Sequence, residues 1–232
     1  MSVVYVQNFD SLSTGNLDGQ DSWTLVSSLH ATVSTDAAYS SPNGVKCAAG
    51  AGVYRDCSNQ TSGTQYVVVR LDTLGSNGDG SPGKFLAEAG VGKVYLKWQN
   101  SSGNKFQNIN GGSYEDMFTG TLTSWYIIEI NFNNSTDTYT YRYKVSGGTF
   151  SSTSASKNYN SVATNINRVY IEQDAGSPTA WLTYMDSYSA TDPTPATGPT
   201  NVKTWDGVTQ STGIKTYEDV ALASVKSVNG IT

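Results

Sequence analysis

The chain has 232 residues and a formal net charge of −5, from 14 Lys+Arg against 19 Asp+Glu, with a sequence pI near 4.7. That length makes one large domain, or one domain and an appendage. With charged residues at 14%, 23 Gly, 15 Tyr and 5 Trp, the composition excludes a helical bundle, a coiled coil and a disordered chain. The few, scattered cations leave no basic footprint for a phosphate backbone, so nucleic acid is not an expected partner.

In chain order, Met1 to Asp10 has no basic n-region, no apolar run of signal length and no small-residue cleavage site. It reads as a strand over Val3 to Phe9, in a protein made in a cytosol and leaving it, if at all, without a conventional signal. No later stretch approaches the roughly 18 apolar residues of a membrane-spanning helix. Short strands are expected at Trp23 to Val26 and Val45 to Ala48. Cys47 and Cys57 flank a Gly-rich stretch. The spacing allows a hairpin with a disulfide or two buried thiols, and the missing signal favours free thiols.

Period-2 alternation then recurs. Gln65 to Leu71 places Val67, Val69 and Leu71 on one face, and Val94 to Gln99 does so with Val94, Leu96 and Trp98. Lys84 to Ala87 is a further short strand, preceded by Gly75 to Gly83, a loop with oxygen ligands but no EF-hand spacing, read as a turn. Trp125 to Phe132 aligns Tyr126, Ile128, Ile130 and Phe132. Thr138 to Val145 aligns Tyr139, Tyr141, Tyr143 and Val145, and the turn Asn133 to Asp137 joins the two into a central hairpin. Arg168 to Gln173 and Ala180 to Ser189 close the series. Many short strands between Gly/Asn/Ser turns predict an all-β, two-sheet antiparallel sandwich.

From Thr191 the composition changes, with three of the six prolines by Pro199, which reads as a semi-extended linker. A short repeat follows, with copies starting at Val202, Ile214 and Val225. Asp206-Gly207 and Asn229-Gly230 are two-residue hairpin signals, and Glu218-Asp219 is a weaker one. The expected division is a sandwich over 1–191, a linker over 192–200 and an assembly tail over 201–232. The tail's apolar residues, Val202, Trp205, Val208, Ile214, Tyr217, Val220, Val225, Val228 and Ile231, need a surface to pack on.

Phe9-Asp10-Ser11-Leu12, Gly15, Leu17, Gly19-Gln20, Trp23 and Ser41-Pro42-Asn43-Gly44 resemble the start of concanavalin A-like lectin/glucanase (LamG-like) jelly rolls. The hairpin at 125–145 and the closing Trp181 to Tyr188 resemble later strands of the same group. The resemblance implies a jelly-roll sandwich over about residues 3 to 191. The Val-Lys-Thr/Ser tail repeats resemble those that end phage and prophage structural proteins.

Glycoside hydrolases of this fold set carboxylates two residues apart on a core strand, and no such strand is present. Glu129 is isolated, and Glu115-Asp116 would point to opposite faces. All three read as solvated or turn carboxylates. His30, the only histidine, neighbours no nucleophile motif. No catalytic residue is therefore expected, and the protein is read as a non-enzyme. Related sandwich modules often hold a structural ion between opening and closing strands, which makes Asp10 and Asp186 a candidate calcium pair and calcium the only candidate cofactor. Sugar binding needs displayed aromatic rings with amides nearby: Trp125, Tyr95 and Tyr114, with Asn108 and Asn110. The function these features suggest is a virion structural protein, a phage head-decoration, fibre or tail-appendage subunit. Its partners would be other virion proteins and its own copies, as in a trimer. The alternative is a carbohydrate-binding module or adhesin for a cell-surface glycan, located on the extracellular surface.

Overall fold

A computed structural model describes residues 3–26, 28–39, 42–72, 79–99, 103–173, 183–189, 193, 202–205, 208–211, 216–217 and 220–221, with backbone alone at 79–84, 183–189 and from 202 onward. The chain divides into two compact units, Met1–Pro193 and Thr194–Thr232.

The first unit is a two-sheet antiparallel sandwich whose one described helical turn is 3-10, Thr35–Ala37. Its strands are β1 (Gly15–Asn16), β2 (Thr24–Leu25), β3 (Thr32–Ser34), β4 (Gly44–Cys47), β5 (Gly52–Gln60), β6 (Ser62–Leu71), β7 (Asp79–Glu88), β8 (Val91–Gln99), β9 (Lys105–Asn110), β10 (Ser113–Thr119), β11 (Trp125–Asn133), β12 (Thr138–Val145), β13 (Lys157–Asn158), β14 (Ile166–Glu172) and β15 (Thr183–Ser189). Eight form one sheet in the order β1-β3-β4-β15-β6-β11-β12-β13, and seven form the other in the order β10-β9-β8-β7-β14-β5-β2.

The alternating sequences dictate the inner faces. Val67, Val69 and Leu71 of β6, Tyr126, Ile128, Ile130 and Phe132 of β11, and Tyr139 and Tyr141 of β12 meet Val94, Leu96 and Trp98 of β8 in one core. Phe106 of β9 and Ile166, Val169 and Ile171 of β14 complete it. Each such side chain taken from water contributes about 1.5–3 kcal/mol. The 125–145 hairpin is interior to its sheet, β11 pairing with both β6 and β12.

Several expectations change. Val3 to Phe9 is not a strand. The buried Gln65 takes the ladder's place there, its Oε1 accepting from the Val4 and Tyr5 N–H groups at 3.1 Å and its Nε2 donating to the Tyr5 carbonyl. Asp79 to Gly83 is strand rather than turn, because β7 begins at Asp79 and pairs with β8. Cys47 and Cys57 are not hairpin neighbours, since β4 and β5 lie in different sheets. Both thiols are free, and burial raises them to about 12 and about 11 respectively.

In the second unit, β16 (Val202–Trp205) pairs antiparallel with β17 (Val208–Ser211), and β18 (Thr216–Tyr217) with β19 (Val220–Ala221); the dipeptides Asp206-Gly207 and Glu218-Asp219 lie outside the described residues. Ile214, Val225, Val228 and Ile231, and with them the whole third repeat, lie outside the described residues, as does all of the 192–200 linker except Pro193.

Candidate functional site

Because Val169 and Ile171 point into the core, Tyr170 and Glu172 point the other way, and the same alternation turns Tyr95 and Lys97 of β8 outward. Register then assembles a row across the outer face of the seven-stranded sheet. Tyr54 of β5 stands opposite Tyr170 of β14. On β8, Leu96 pairs with Asn108, which sets Tyr95 beside Ile109 of β9, and Ile109 pairs with Tyr114 of β10. Tyr54 and Tyr170 on one side of β7, and Tyr95, Ile109 and Tyr114 on the other, thus form a belt across the face, with Tyr170 near enough to Tyr95 to act on its phenol. From β5 to β10 it spans five strand spacings, about 24 Å at ~4.8 Å each.

The belt is packed as well as aligned. Tyr54 and Tyr170 have centroids 5.8 Å apart, and the Arg168 guanidinium lies 4.0 Å over Tyr54 while its Nε donates to Asp56 at 2.5 Å. These partners outweigh the cost of partial burial and raise the Arg168 pKa, so the cation is permanent. Burial raises the Tyr95 phenol, and Glu172 and Tyr170 nearby add to the rise. A bulge between Val94 and Gly92 lays the Tyr95 ring on Gly92, where a Cβ would come within 2.5 Å of the ring. At the far end Lys97 Nζ sits 3.8 Å over the Tyr114 ring, and Tyr114 is 44% exposed. Tyr170 and Ile109 are buried floor, whereas Tyr54, Tyr95 and Tyr114 are partly or well exposed.

Of the glycan-binding candidates singled out from sequence, only Tyr95 and Tyr114 share this face. Asn108 points into the core, fully buried, with its Nδ2 donating to Tyr139 Oη at 2.9 Å. Asn110 ends β9, its Nδ2 donating to Glu115 and its Oδ1 accepting from the Asn158 N–H. Trp125 lies on the outer face of the other sheet, between Tyr39 and the Arg70 guanidinium, 4.9 Å from its ring. Tyr54, Tyr170, Lys97 and Gln107 were missed. The signal that could have found Tyr54 is its place two residues beyond Gly52, but β5 is too polar past Val53 to alternate visibly.

Asp10 caps a local turn, its carboxylate accepting from the Asn8 side chain and the Asn43 N–H. The Asp186 side chain is outside the described residues, and among those described no three His, Cys, Asp or Glu side chains are grouped to hold a metal. His30 Nδ1 lies 2.6 Å from Asp18 Oδ1 at the surface.

Glu129 is not the solvated carboxylate expected. It is 6% exposed on the outer face of the eight-stranded sheet, where its Oε2 accepts from Tyr66 Oη and Arg142 at 2.6 Å each and its Oε1 accepts from Asn131 at 2.8 Å. Burial pushes its pKa up, but these donors outweigh it and the net shift is downward.

No protein-family model matches the chain, and no curated protein matches it by sequence. Solved structures do match in shape. The catalytic domain of a glycoside hydrolase family 131 protein from Coprinopsis cinerea aligns with a TM-score of 0.57 at 12% identity, over 81% of this chain and 94% of that one. A sialidase aligns at 0.56 and 13% identity, over 82% of this chain, which spans only 19% of the sialidase. The lectin UEA-II in complex with galactose aligns at 0.50 and 9% identity, over 80% and 99%.

These matches correct the expectation of a non-enzyme. Catalytic domains share this fold, and carboxylates need not sit two apart on one strand to meet. Here Asp56 and Glu172 lie on the neighbouring strands β5 and β14 of the outer face, whereas Asp116 stands at the far edge on β10. The sandwich has the concanavalin A-like lectin/glucanase fold.

Proposed function

We propose that the outer face of the seven-stranded sheet binds carbohydrate, with the tyrosine belt as its stacking platform. The observation that carries this reading is the register of Tyr54, Tyr95 and Tyr114 in one row, with the polar side chains of Arg168, Glu172, Lys97 and Gln107 beside it. Apolar ring faces that hold a sugar's C–H surface, with a few placed polar groups for its hydroxyls, are what a glycan site requires. Lectin and glycoside hydrolase structures share the fold, and it is this chain's own side chains that supply the platform. On a glycan array the full-length protein should retain a defined set of glycans. Tyr95→Ala or Tyr114→Ala should each weaken binding about tenfold, roughly the 1.4 kcal/mol that one stacking contact supplies. Gly92→Ala should act like Tyr95→Ala by lifting the ring. Binding unchanged in all three variants would end this reading. Reducing ends released in the same assay would add a catalytic step to it.

The hairpins β16–β17 and β18–β19 favour a second statement. Arms of two to four residues are not stable alone in water. The tail is therefore read as an attachment element, docking the protein to a larger particle, a virion in the reading the repeats suggest, or to its own copies. A chain ending at Pro193 should stay folded but fail to co-sediment with particles or self-associate. Co-sedimentation or association equal to full length would remove the tail from that role.

A further inference from the structure

One row from the tyrosine belt, Lys97, Gln107 and Asp116 stand in register across β8, β9 and β10. Gln107 is only 8% exposed although its strand turns it away from the core. Its Nε2 donates to Asp116 Oδ1 at 2.8 Å, and Asp116 Oδ2 is held by Lys105 Nζ at 3.3 Å. A carboxylate can only accept, so Asp116 fixes the amide with nitrogen toward itself and oxygen away. That oxygen, Gln107 Oε1, is buried and takes no hydrogen bond from any described residue. Burying an acceptor without a donor is costly, and such orphans in native proteins ask for an explanation.

We propose that Gln107 Oε1 is a specificity-determining acceptor for the belt's ligand, receiving a hydrogen bond from a free hydroxyl of a sugar stacked on Tyr95 or Tyr114. The ligand class is then a neutral glycan with unsubstituted hydroxyls. An ether or ester oxygen at the same place has no proton to give and leaves the amide oxygen orphaned. The inference rests on the belt being the glycan site. A site built to hydrogen-bond a hydroxyl rejects its blocked analogue far more strongly than a site that merely stacks it.

The test uses full-length protein and calorimetry with cellohexaose, laminarihexaose, mannohexaose and xylohexaose. The hexasaccharides retained are then repeated in permethylated form, which keeps the ring faces and removes the hydroxyl protons. Gln107→Met should weaken the native sugar about tenfold to a hundredfold with little change in melting temperature, because deleting the orphaned acceptor offsets the lost bond to Asp116, a half-exposed carboxylate that Lys105 still holds. The permethylated sugar should bind the unmutated protein correspondingly weakly, and this arm decides alone if Gln107→Met does not fold. Native-strength binding by Gln107→Met, or of the permethylated sugar by unmutated protein, with Tyr95→Ala still impaired, would overturn the role of Gln107 and leave the belt standing. Failure to retain any hexasaccharide, or unimpaired binding by Tyr95→Ala, would overturn both.

Discussion

Trp98→Ala is expected to cost about 3–5 kcal/mol, the range for truncating a fully buried tryptophan. Trp98 is 1% exposed and is the hub of an aromatic cluster, edge-on to Phe106 at 4.7 Å, Tyr126 at 5.8 Å and Phe118 at 5.9 Å. Tyr126 comes from the opposite sheet, so the ring bridges the sandwich. Its six-membered edge fills the space that Gly120 leaves by having no Cβ; a Cβ there would come within 2.1 Å of the ring. That lock makes Gly120→Ala destabilising without touching the indole. The indole N–H has no hydrogen-bond partner among the described residues, so Trp98→Phe should lose far less than Trp98→Ala. Urea unfolding checks all three at constant slope: the midpoint should fall least for Trp98→Phe and further for Trp98→Ala, and it should fall for Gly120→Ala as well. A Trp98→Ala midpoint equal to that of the unmutated protein would show that the two sheets do not meet through this ring.

The cluster shows what a sequence read alone can and cannot deliver. Val94, Leu96 and Trp98 alternate cleanly, so their shared face was legible, as were the faces of β6, β11, β12 and β14, because a strand with one face in a core must place apolar residues two apart. Where another device does the work of alternation, the reading fails. Val3 to Phe9 is rich in strand formers without being a strand, since the Gln65 side chain bonds the Val4 and Tyr5 backbone. The β9–β10 hairpin was overlooked although Gly111-Gly112, both at positive φ, is a tight-turn signal. The belt was half legible: Tyr95 and Tyr114 were picked as displayed rings, but their alignment with Tyr54 and Tyr170 depends on the order β10-β9-β8-β7-β14-β5, which no local pattern encodes. Asn108 was misleading for the opposite reason: closeness to Tyr114 in sequence says nothing about which side of a strand an amide takes.

Glu129→Ala is expected to destabilise by about 3 kcal/mol at neutral pH, with a pH dependence of definite sign. The carboxylate accepts three hydrogen bonds, and Asn131, one of its donors, is itself anchored by Thr64 at 2.6 Å, so removing it frees a linked network across β6, β11 and β12. The loss is held to the low end of the range for a broken buried pair, because the Arg142 side chain is 38% exposed and regains water. Glu129 has a lower pKa folded than unfolded. Its ionised form therefore stabilises the fold fully above the unfolded value, and that contribution disappears as pH falls through the folded one. Glu129→Gln keeps the shape and cannot ionise, so the gap in melting temperature between it and the unmutated protein should be largest at neutral pH and close on acidification below the ordinary glutamate range. A gap that stays constant or widens in acid would mean that Glu129 is already neutral in the folded protein. The network would then be a set of neutral hydrogen bonds rather than the ion pair with Arg142.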